Sequence, residues 1–328
     1  MNKMTRLFRA DHPLSHRNAF VMMPFKETEQ HHAVLETVRQ ELKYYGFEAL
    51  RADEKIYYPN LWDNVRLYMD GCNWGIAIFD KISDNQQADQ TTPPVFNPNV
   101  SLEVGYMLAK GKSCLLLKDK RLSVLQSDLS GKLYKEFDFS EIQQTVRARV
   151  KEWMRDSGVL PSTNERLLVF VSIAGIDRCA MAKAILTWSI WPKGGHKMVS
   201  RLRIESAGVG WPSLATPRKS AMDAIKGVCA GEDLMAKYKT QILSDMLKTQ
   251  ACLILVMTDS LKNGLPPKKT FTINEFFGGG GDIVDPAPDR GNDDSQSFKH
   301  TAAELKRILC DPKNLDRLDE FLSDPSLC

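Results

Sequence analysis

Two acidic residues in the first third of the chain lie where α/β sheets bind their ligands, one at a strand end and one near a helix start. Asp80 ends the apolar segment WGIAIFD, and Glu103 lies in NPNVSLEVGYMLAKGK. In the second segment Asn97 or Asn99 can cap a helix and Pro98 suits its first turn, so Glu103 falls in that turn or just after it. A carboxylate at this place either complements the helix dipole or serves as a fixed negative charge for catalysis.

A second candidate site lies in VFVSIAGIDRCAMAKAIL, where a strand pattern passes through a short loop into a helix pattern. The stretch has the form of a phosphate-binding loop, in which backbone N–H groups and a helix N-terminus face an anion. Ser172 stands at the strand end and Arg178 opens the helix. A hydroxyl is much harder to ionise than a thiol, whose reference pKa is ~8.5, so a serine here is a poor nucleophile.

The elements that position these residues form two α/β halves. In each half apolar strands alternate with amphipathic helices, which implies a mostly parallel sheet. We therefore predict two doubly wound, mostly parallel three-layer α/β sandwiches in tandem. The predicted division is a basic, mobile or partner-docking tail at 1–18, a first domain at 19–140, a helical linker at 141–164 and a second domain at 165–328. The polar insert from Asp84 to Val95 is predicted to be a mobile loop.

The composition limits the function classes. With 328 residues, 43% hydrophobic and 26% charged residues and a formal net charge of +3, the chain is predicted to be a cytoplasmic protein with no membrane partner. Its Lys and Arg residues are interspersed with acids, so nucleic-acid binding is neither demanded nor excluded. The seven cysteines show no paired spacing, which favours reduced thiols and no metal site.

The first half resembles the nucleoside 2-deoxyribosyltransferase and TIR-like family over roughly residues 20–117. The segments FVMMPF, RADE, WGIAIFD and LEVGYMLAKGK occur in the family's order. The resemblance implies cleavage of an N-glycosidic bond of a nucleoside or nicotinamide dinucleotide. It implies that Glu103 attacks or stabilises the anomeric carbon and that Asp80 is an acid touching the sugar or base.

The same resemblance implies the residues that bind the substrate. They are Phe25, Arg51, Asp53, Asn99 and Tyr106. Asn99 is expected to bond a ribose hydroxyl. Two alternatives stay open here, because Asp53 and Glu54 suit either sugar contacts or a solvated pair, and Tyr106 suits either the site or helix packing. No cofactor is expected, since NAD or a nucleotide enters as substrate, and family members often associate as homo-oligomers.

The second half resembles low-molecular-weight protein tyrosine phosphatases and the similar arsenate reductases, over about residues 167–309. The segments are the loop already quoted, RIESAGVGW, CLILVMTDSLKNGL and EFFGGGGDIVDPAPD. The resemblance places Ser172 at the nucleophile of a C-x5-R loop, Arg178 at the arginine and Asp285 at the general acid. It implies an anion site for a phosphorylated ligand or protein partner.

Four departures from the phosphatase pattern argue against turnover. Ser172 replaces the cysteine, Gly175 replaces a bracing asparagine, Asp177 adds a negative charge, and Cys179 replaces a supporting hydroxyl. Arg178 is expected either to pair with Asp177, which closes the site, or to keep binding a phosphorylated ligand. The strip from 278 to 297 is interpreted as a flexible loop in which Asp285 is a relic.

Together these features favour an N-glycosidase regulated by an inactive phosphatase-like domain. This combination resembles bacterial antiphage effectors. The alternatives are a nucleotide or phosphate sensor that signals through a partner, and a phosphatase that keeps residual activity through Ser172 or Cys179.

Overall fold

The computed structural model describes residues 2–25, 28–80, 97–122, 134–159, 165–190, 202–210, 216–287 and 294–324. The chain divides into two compact units, Met1–Leu160 and Pro161–Cys328. The insert from Asp84 to Val95, predicted to be a mobile loop, lies outside the described residues. Within the described residues no helix is long and apolar enough to cross a membrane.

Unit 1 is built on a parallel sheet whose described strands follow the order β2-β1-β3-β4-β5. Helices cover the sheet because each connection between parallel strands must return from the carboxyl end of one strand to the amino end of the next. The strands are β1 (Asn18–Met22), β2 (Glu48–Leu50), β3 (Trp74–Phe79), β4 (Ser113–Asp119) and β5 (Lys135–Phe137). The helices are α1 (Lys3–Asp11), α2 (Glu29–Tyr44), α3 (Leu61–Gly71), α4 (Pro98–Ala109) and α5 (Ile142–Asp156).

The N-terminal segment differs from the mobile tail expected from the sequence. It forms α1, which Asn2 caps through its side chain, and Phe8 is only 1% exposed. The Phe8 ring lies 5.4 Å from the ring of Tyr57 and 5.1 Å from that of Tyr68. Gly71 contacts the same ring so closely that a Cβ there would overlap it. Phe8, the buried residue of this helix, therefore anchors the segment to unit 1.

The predicted linker also differs from what the structure shows. Helix α5 belongs to unit 1, where it packs beside α2 and buries Val146, Val150 and Met154. Its amphipathic face supplies part of the domain core. The rest of the predicted linker, from 160 to 164, lies outside the described residues.

Unit 2 has a smaller parallel sheet with described strands in the order β7-β6-β8-β9. Its core is formed by Phe170, Ile185, Leu255, Phe298 and Leu305, all fully buried. The strands are β6 (Arg166–Ser172), β7 (Leu202–Gly208), β8 (Leu253–Val256) and β9 (Thr270–Thr272). The helices are α6 (Arg178–Ile190), α7 (Lys219–Val228), α8 (Asp245–Gln250), α9 (Ile273–Phe276), α10 (Ser295–Leu309) and α11 (Pro312–Leu322).

The two parallel sheets confirm the predicted pair of α/β sandwiches. Two details differ from the sequence prediction. Residues 278–287 are not a free surface loop, because Ile283 is buried and donates its N–H to the Met257 carbonyl at 2.8 Å. Cys252 is disulfide-bonded rather than reduced, whereas Cys72, Cys114, Cys179 and Cys229 are free thiols.

The packing of Phe8 predicts a stability effect. Phe8→Ala removes a buried ring and leaves a cavity, so it should lower the free energy of unfolding of unit 1 by ~3 kcal/mol. Leu7→Ala is the matched control, because the neighbouring Leu7 is 44% exposed and its loss should change that energy by less than ~0.5 kcal/mol. Urea unfolding of the full chain measures both. Equal effects of the two substitutions would show that α1 is not anchored by Phe8.

Candidate functional site

The first candidate site lies at the carboxyl edge of the unit 1 sheet. Phe25 follows β1, Arg51 follows β2 and Asp80 follows β3. Helix α4 begins at this edge, because it leads back from β3 to the parallel strand β4. Open parallel sheets bind their ligands at this edge. The structure therefore brings the strand-end residues of the predicted site to one edge.

Glu103 differs from the other carboxyl groups of this edge because it has no partner in the part of the chain that the structure describes. It lies in the second turn of α4, whose N-cap is Asn97, and the Asn97 side chain accepts the N–H of Asn99 at 3.0 Å. Glu103 is half-buried and has no hydrogen bond or ion pair with the described residues. Burial raises the pKa of Glu103 from 4.5 to about 7. An acid that merely complements a helix dipole would show the opposite shift, so the desolvated carboxyl favours the functional alternative.

Asp80 is 1% exposed, so a substrate does not meet its carboxylate directly. Its Oδ2 atom lies 2.9 Å from Nε2 of His31, a buried residue in the first turn of α2. The other nitrogen of His31, Nδ1, contacts the hydroxyl of Thr28. His31 was not among the site residues predicted from the sequence, although the spacing Thr-x-x-His at the start of an amphipathic helix indicates such a contact. Asp80 also acts electrostatically on Arg121 beyond β4.

Arg51 is buried and bound by a neighbouring acid. Its Nε donates to Oδ1 of Asp53 at 2.6 Å, and its Nη2 contacts the second oxygen. The exposed Phe25 ring lies 5.6 Å from the guanidinium carbon. Burial opposes ionisation of Asp53, but the bonds and charge of Arg51 outweigh it and hold the pKa of Asp53 below its ordinary value. Glu54 pairs with Arg39, and both Asp53 and Glu54 are exposed.

Tyr106 and Asn99 lie at different ends of α4. The Tyr106 hydroxyl donates to Oδ1 of Asp70 at 3.0 Å, and its ring packs 6.3 Å from that of Trp62. Asp70 belongs to the last turn of α3, which points to the amino edge of the sheet. Tyr106 lies one turn along α4 from Glu103, and its contacts with α3 give it a helix-packing role. Asn99 is exposed in the first turn of α4 and stays at the carboxyl edge.

The second candidate site is the loop from Ser172 to Arg178, between β6 and α6. The Ser172 hydroxyl accepts the Gly175 N–H at 3.1 Å and donates to the Cys179 sulfur at 3.1 Å. The amides of Ala174, Ile176 and Asp177 donate to no acceptor within the described part of the chain. Free amides beside the N-terminus of a helix form an anion-binding nest.

Gly175 is required by the backbone around it. Its φ is +66°, and a Cβ at this position would lie 2.8 Å from Cα of Gly208 on β7. Its carbonyl accepts the Tyr238 hydroxyl at 2.8 Å, and that hydroxyl also accepts a hydrogen bond from Ser206 at 2.9 Å. An asparagine cannot take this place unless β7 moves. Tyr238 and the close strand support the loop instead.

Arg178 is bound by a distant segment and not by its neighbour. Its Nη1 donates to the Ile283 carbonyl at 2.8 Å, and its Nη2 donates to Oδ2 of Asp285 at 2.9 Å. The alternative of an Arg178–Asp177 pair is wrong. Asp285 is also held in place on its other side, because its second carboxylate oxygen accepts the Ala287 N–H at 3.1 Å.

Asp177 points to the start of α7. It accepts the backbone N–H of Arg218 at 3.0 Å and contacts the guanidinium of the same residue. Burial raises the pKa of Asp177, Arg218 opposes that rise, and the charge of Asp285 adds to it. Each arginine of the loop region thus has its own aspartate.

This loop lacks an activated nucleophile. Cys179 is fully buried, and burial raises the pKa of its thiol. Ser172 is buried too, and its hydrogen-bond partners are an amide and a thiol, neither of which is a general base. The geometry suits anion binding better than phosphoryl transfer. Across the ranges that the structure describes, no three His, Cys, Asp or Glu side chains are grouped to hold a metal ion.

Comparisons with known proteins give structural similarity only. No family model and no curated protein matches the chain. The chain is similar to a mutant YwlE arginine phosphatase with a phosphorylated active-site serine, at 24% identity and a TM-score of 0.39, over 49% of this chain and 99% of that chain. It is also similar to a low-molecular-weight protein tyrosine phosphatase from T. tengcongensis, at 26% identity and a TM-score of 0.38, over 48% of this chain and 99% of that one.

A third similar structure is a low-molecular-weight protein tyrosine phosphatase from Bacillus subtilis. Its identity is 24% and its TM-score 0.38, over 49% of this chain and 99% of that chain. The similarity to the phosphatase fold thus covers about half of the chain. None of these comparisons shows the deoxyribosyltransferase or TIR-like family expected for the first half.

The buried carboxyl of Glu103 predicts a pH-dependent stability. Its folded pKa lies above the unfolded value, so the penalty for ionising it in the folded state is absent below about pH 4.5, grows between about pH 4.5 and 7, and is complete above that range. Glu103→Gln should therefore stabilise unit 1 by up to ~3 kcal/mol near pH ~8 and by nothing near pH ~4.

Urea unfolding at several pH values measures this difference. The exposed Glu36 on α2 is the matched control, because Glu36→Gln removes a carboxylate that water solvates. A Glu103→Gln effect that does not change with pH would contradict the raised pKa.

Proposed function

We propose that unit 1 cleaves the N-glycosidic bond of a nicotinamide dinucleotide or of a nucleoside or nucleotide, and that unit 2 is a phosphatase-like regulatory domain without turnover. Glu103 is the catalytic carboxylate of this proposal. The observation that carries it is the half-buried, unpartnered carboxyl of Glu103 at the carboxyl edge of a parallel sheet, with its pKa raised to about 7. The proposed role in antiphage defence rests on the domain combination alone.

A carboxylate kept from water without a basic partner destabilises the fold, which is a common property of catalytic groups. Cleavage of an N-glycosidic bond develops positive charge on the sugar, and an ionised carboxylate beside C1 stabilises that charge or captures the sugar covalently. The interaction is strong here because few water molecules screen it. Glu103 therefore supplies the charge that this reaction needs.

Other groups of the same edge support substrate binding. The Phe25 ring is exposed and is a stacking surface for a planar base. Arg51 is held rigidly by Asp53, and its Nη1 has no hydrogen-bond acceptor among the described residues. Asp80 supports the site through His31 rather than by touching the sugar.

Base release is the direct test of the proposed reaction. We expect the purified chain to release nicotinamide or a nucleobase from one member of a panel of NAD, NADP, nucleosides and nucleotides. Glu103→Gln should slow that release at least ~100-fold, because the amide carries no charge. Chromatography of the products measures both, with Glu36→Gln as the control. Release should increase as the pH passes upward through about 7, since the ionised form of Glu103 is the active one.

Base release that is unchanged in Glu103→Gln would contradict the proposed role of this residue. Release that falls as the pH rises through about 7 would show that Glu103 acts instead as a general acid toward the leaving base. The two results separate a wrong residue from a wrong role.

A second candidate function is that of a sensor in which unit 2 binds a phosphorylated ligand. It is favoured by the free loop amides of Ala174, Ile176 and Asp177 and by the buried guanidinium of Arg178 at the same place. A bound phosphate would compete with Asp285 for Arg178, because Asp285 holds Nη2 in the unliganded chain. Residual phosphatase activity has no such support, since neither Ser172 nor Cys179 has a base.

Anion binding at this loop can be measured by thermal unfolding. Inorganic phosphate in excess over its Kd should raise the melting temperature of unit 2 by a few degrees, as expected when a ligand binds only the folded state. Arg178→Ala should abolish that rise, whereas Arg317→Ala, which removes an arginine stacked on Phe276, should not. An equal rise in Arg178→Ala would show that phosphate binds elsewhere.

A further inference from the structure

The contact chain from Thr28 through His31 to Asp80 has a defined direction of hydrogen bonding. A carboxylate has no hydrogen to donate, so the contact of 2.9 Å between Asp80 and Nε2 of His31 is an N–H donated by the imidazole. Nδ1 of the neutral ring is then an acceptor, and its partner is the Thr28 hydroxyl. The hydroxyl oxygen also accepts the backbone N–H of His31 at 3.3 Å. The Thr28 proton is therefore held by a base whose opposite side is bound to an acid.

Burial along this chain decreases toward the hydroxyl. Asp80 and His31 are buried, whereas Thr28 is exposed. The acid can thus orient the base without meeting a substrate, and the hydroxyl is the member that a substrate can reach. A hydroxyl at a helix start with its base one turn later is also the arrangement of Ser-x-x-Lys enzymes. The spacing Thr-x-x-His places both groups on one face of α2.

The start of α2 supplies hydrogen-bond donors beside this hydroxyl. The amides of Glu29 and Gln30 have no acceptor among the described residues, and the 16-residue helix directs its positive end toward Thr28. Such donors stabilise the oxyanion that forms when a hydroxyl attacks a carbonyl carbon. The exposed Phe25 ring, three residues earlier, adds an apolar surface for an acyl group.

We propose that Thr28, His31 and Asp80 form a relay that transfers acyl groups from an uncharged carboxylic ester to water through Thr28. The Thr28 oxygen bonds to the carbonyl carbon while its proton passes to Nδ1 of His31. The alcohol leaves with that proton, and the broken bond is the ester C–O bond. Water then cleaves the acyl-threonine by the same route, which restores the Thr28 hydroxyl.

An uncharged ester fits this site better than a phosphate. The three relay groups carry one carboxylate and no cationic side chain, so a phosphoryl group would find no charge partner among them. The oxyanion of acyl transfer needs only the helix amides. This activity is separate from the proposed glycosidic cleavage, because it leaves a different product and does not use Glu103.

Thr272 shows what a purely structural threonine looks like in the same chain. It caps α9 through the N–H of Glu275, and the Glu275 side chain returns a bond to the Thr272 N–H. Its partner three residues on is a surface acid that pairs with Lys262, and no base contacts the Thr272 hydroxyl among the described residues. Thr28 differs because its partner is an imidazole fixed by a buried carboxylate from another strand.

The test uses the full chain and p-nitrophenyl acetate as the acyl donor. Wild type should release p-nitrophenolate, and intact-mass and peptide analysis should find one acetyl group on Thr28. Thr28→Val and His31→Gln should lower the enzyme-dependent rate at least ~100-fold, and the Gln amide can still donate to Asp80. Thr28→Ser should retain activity, and Thr272→Val should match wild type.

Circular dichroism establishes that each variant is folded. An equal rate in Thr28→Val or His31→Gln, or acetylation confined to lysines, would overturn the relay. If Thr28→Val fails to fold, the test rests on comparing the acyl-transfer rates of Thr28→Ser and His31→Gln. Equal rates in these two variants would contradict the role of His31 as the base. A wild-type chain that releases base but no p-nitrophenolate would overturn this inference alone and leave the glycosidic reaction standing.

Discussion

Charged side chains that lose water at the carboxyl edges of the two sheets must each find a partner, and this constraint arranges both candidate sites. Asp80 is bound by His31, Arg178 by Asp285 and Asp177 by Arg218. A buried ion without such a partner costs several kcal/mol. The pairs therefore hold elements together that are far apart in sequence: α2 against β3, and the 283–287 segment against the loop before α6.

Glu103 is the exception to this pairing of buried charges, and the exception points to a role for its carboxyl group. It shares the carboxyl edge of unit 1 with Asp80 and Arg51, yet no described residue pairs with it, and its pKa is raised to about 7 by burial alone. A fold in which the other buried charges of its sites are paired does not keep an unpaired one for stability. The free energy lost at Glu103 is most simply explained as the consequence of a carboxyl held ready for a ligand.

The pattern of strands and helices could be predicted from the sequence, because apolar runs, N-cap residues and Gly turns are local signals. Asn97 caps α4 and Arg178 opens α6, as the local residues indicate. Tertiary partners are not local. The partner of Arg178 lies more than a hundred residues later, and the adjacent Asp177 was the only candidate that spacing offered. The burial of Phe8 was missed for a related reason, since its packing partners Tyr57 and Tyr68 lie about fifty and sixty residues later in the chain.

The departures from the phosphatase pattern in unit 2 depend on one another. Gly175 fits because the backbone of β7 approaches it at Gly208, and that approach leaves no room for an asparagine side chain. Cys179 accepts a hydrogen bond from the Ser172 hydroxyl, and both side chains are buried under the loop. Asp177 is turned to Arg218 and helps to fix the start of α7. Each of these residues therefore belongs to the packing of the loop. A loop without a reactive thiol still presents its amides and Arg178, which can bind an anion.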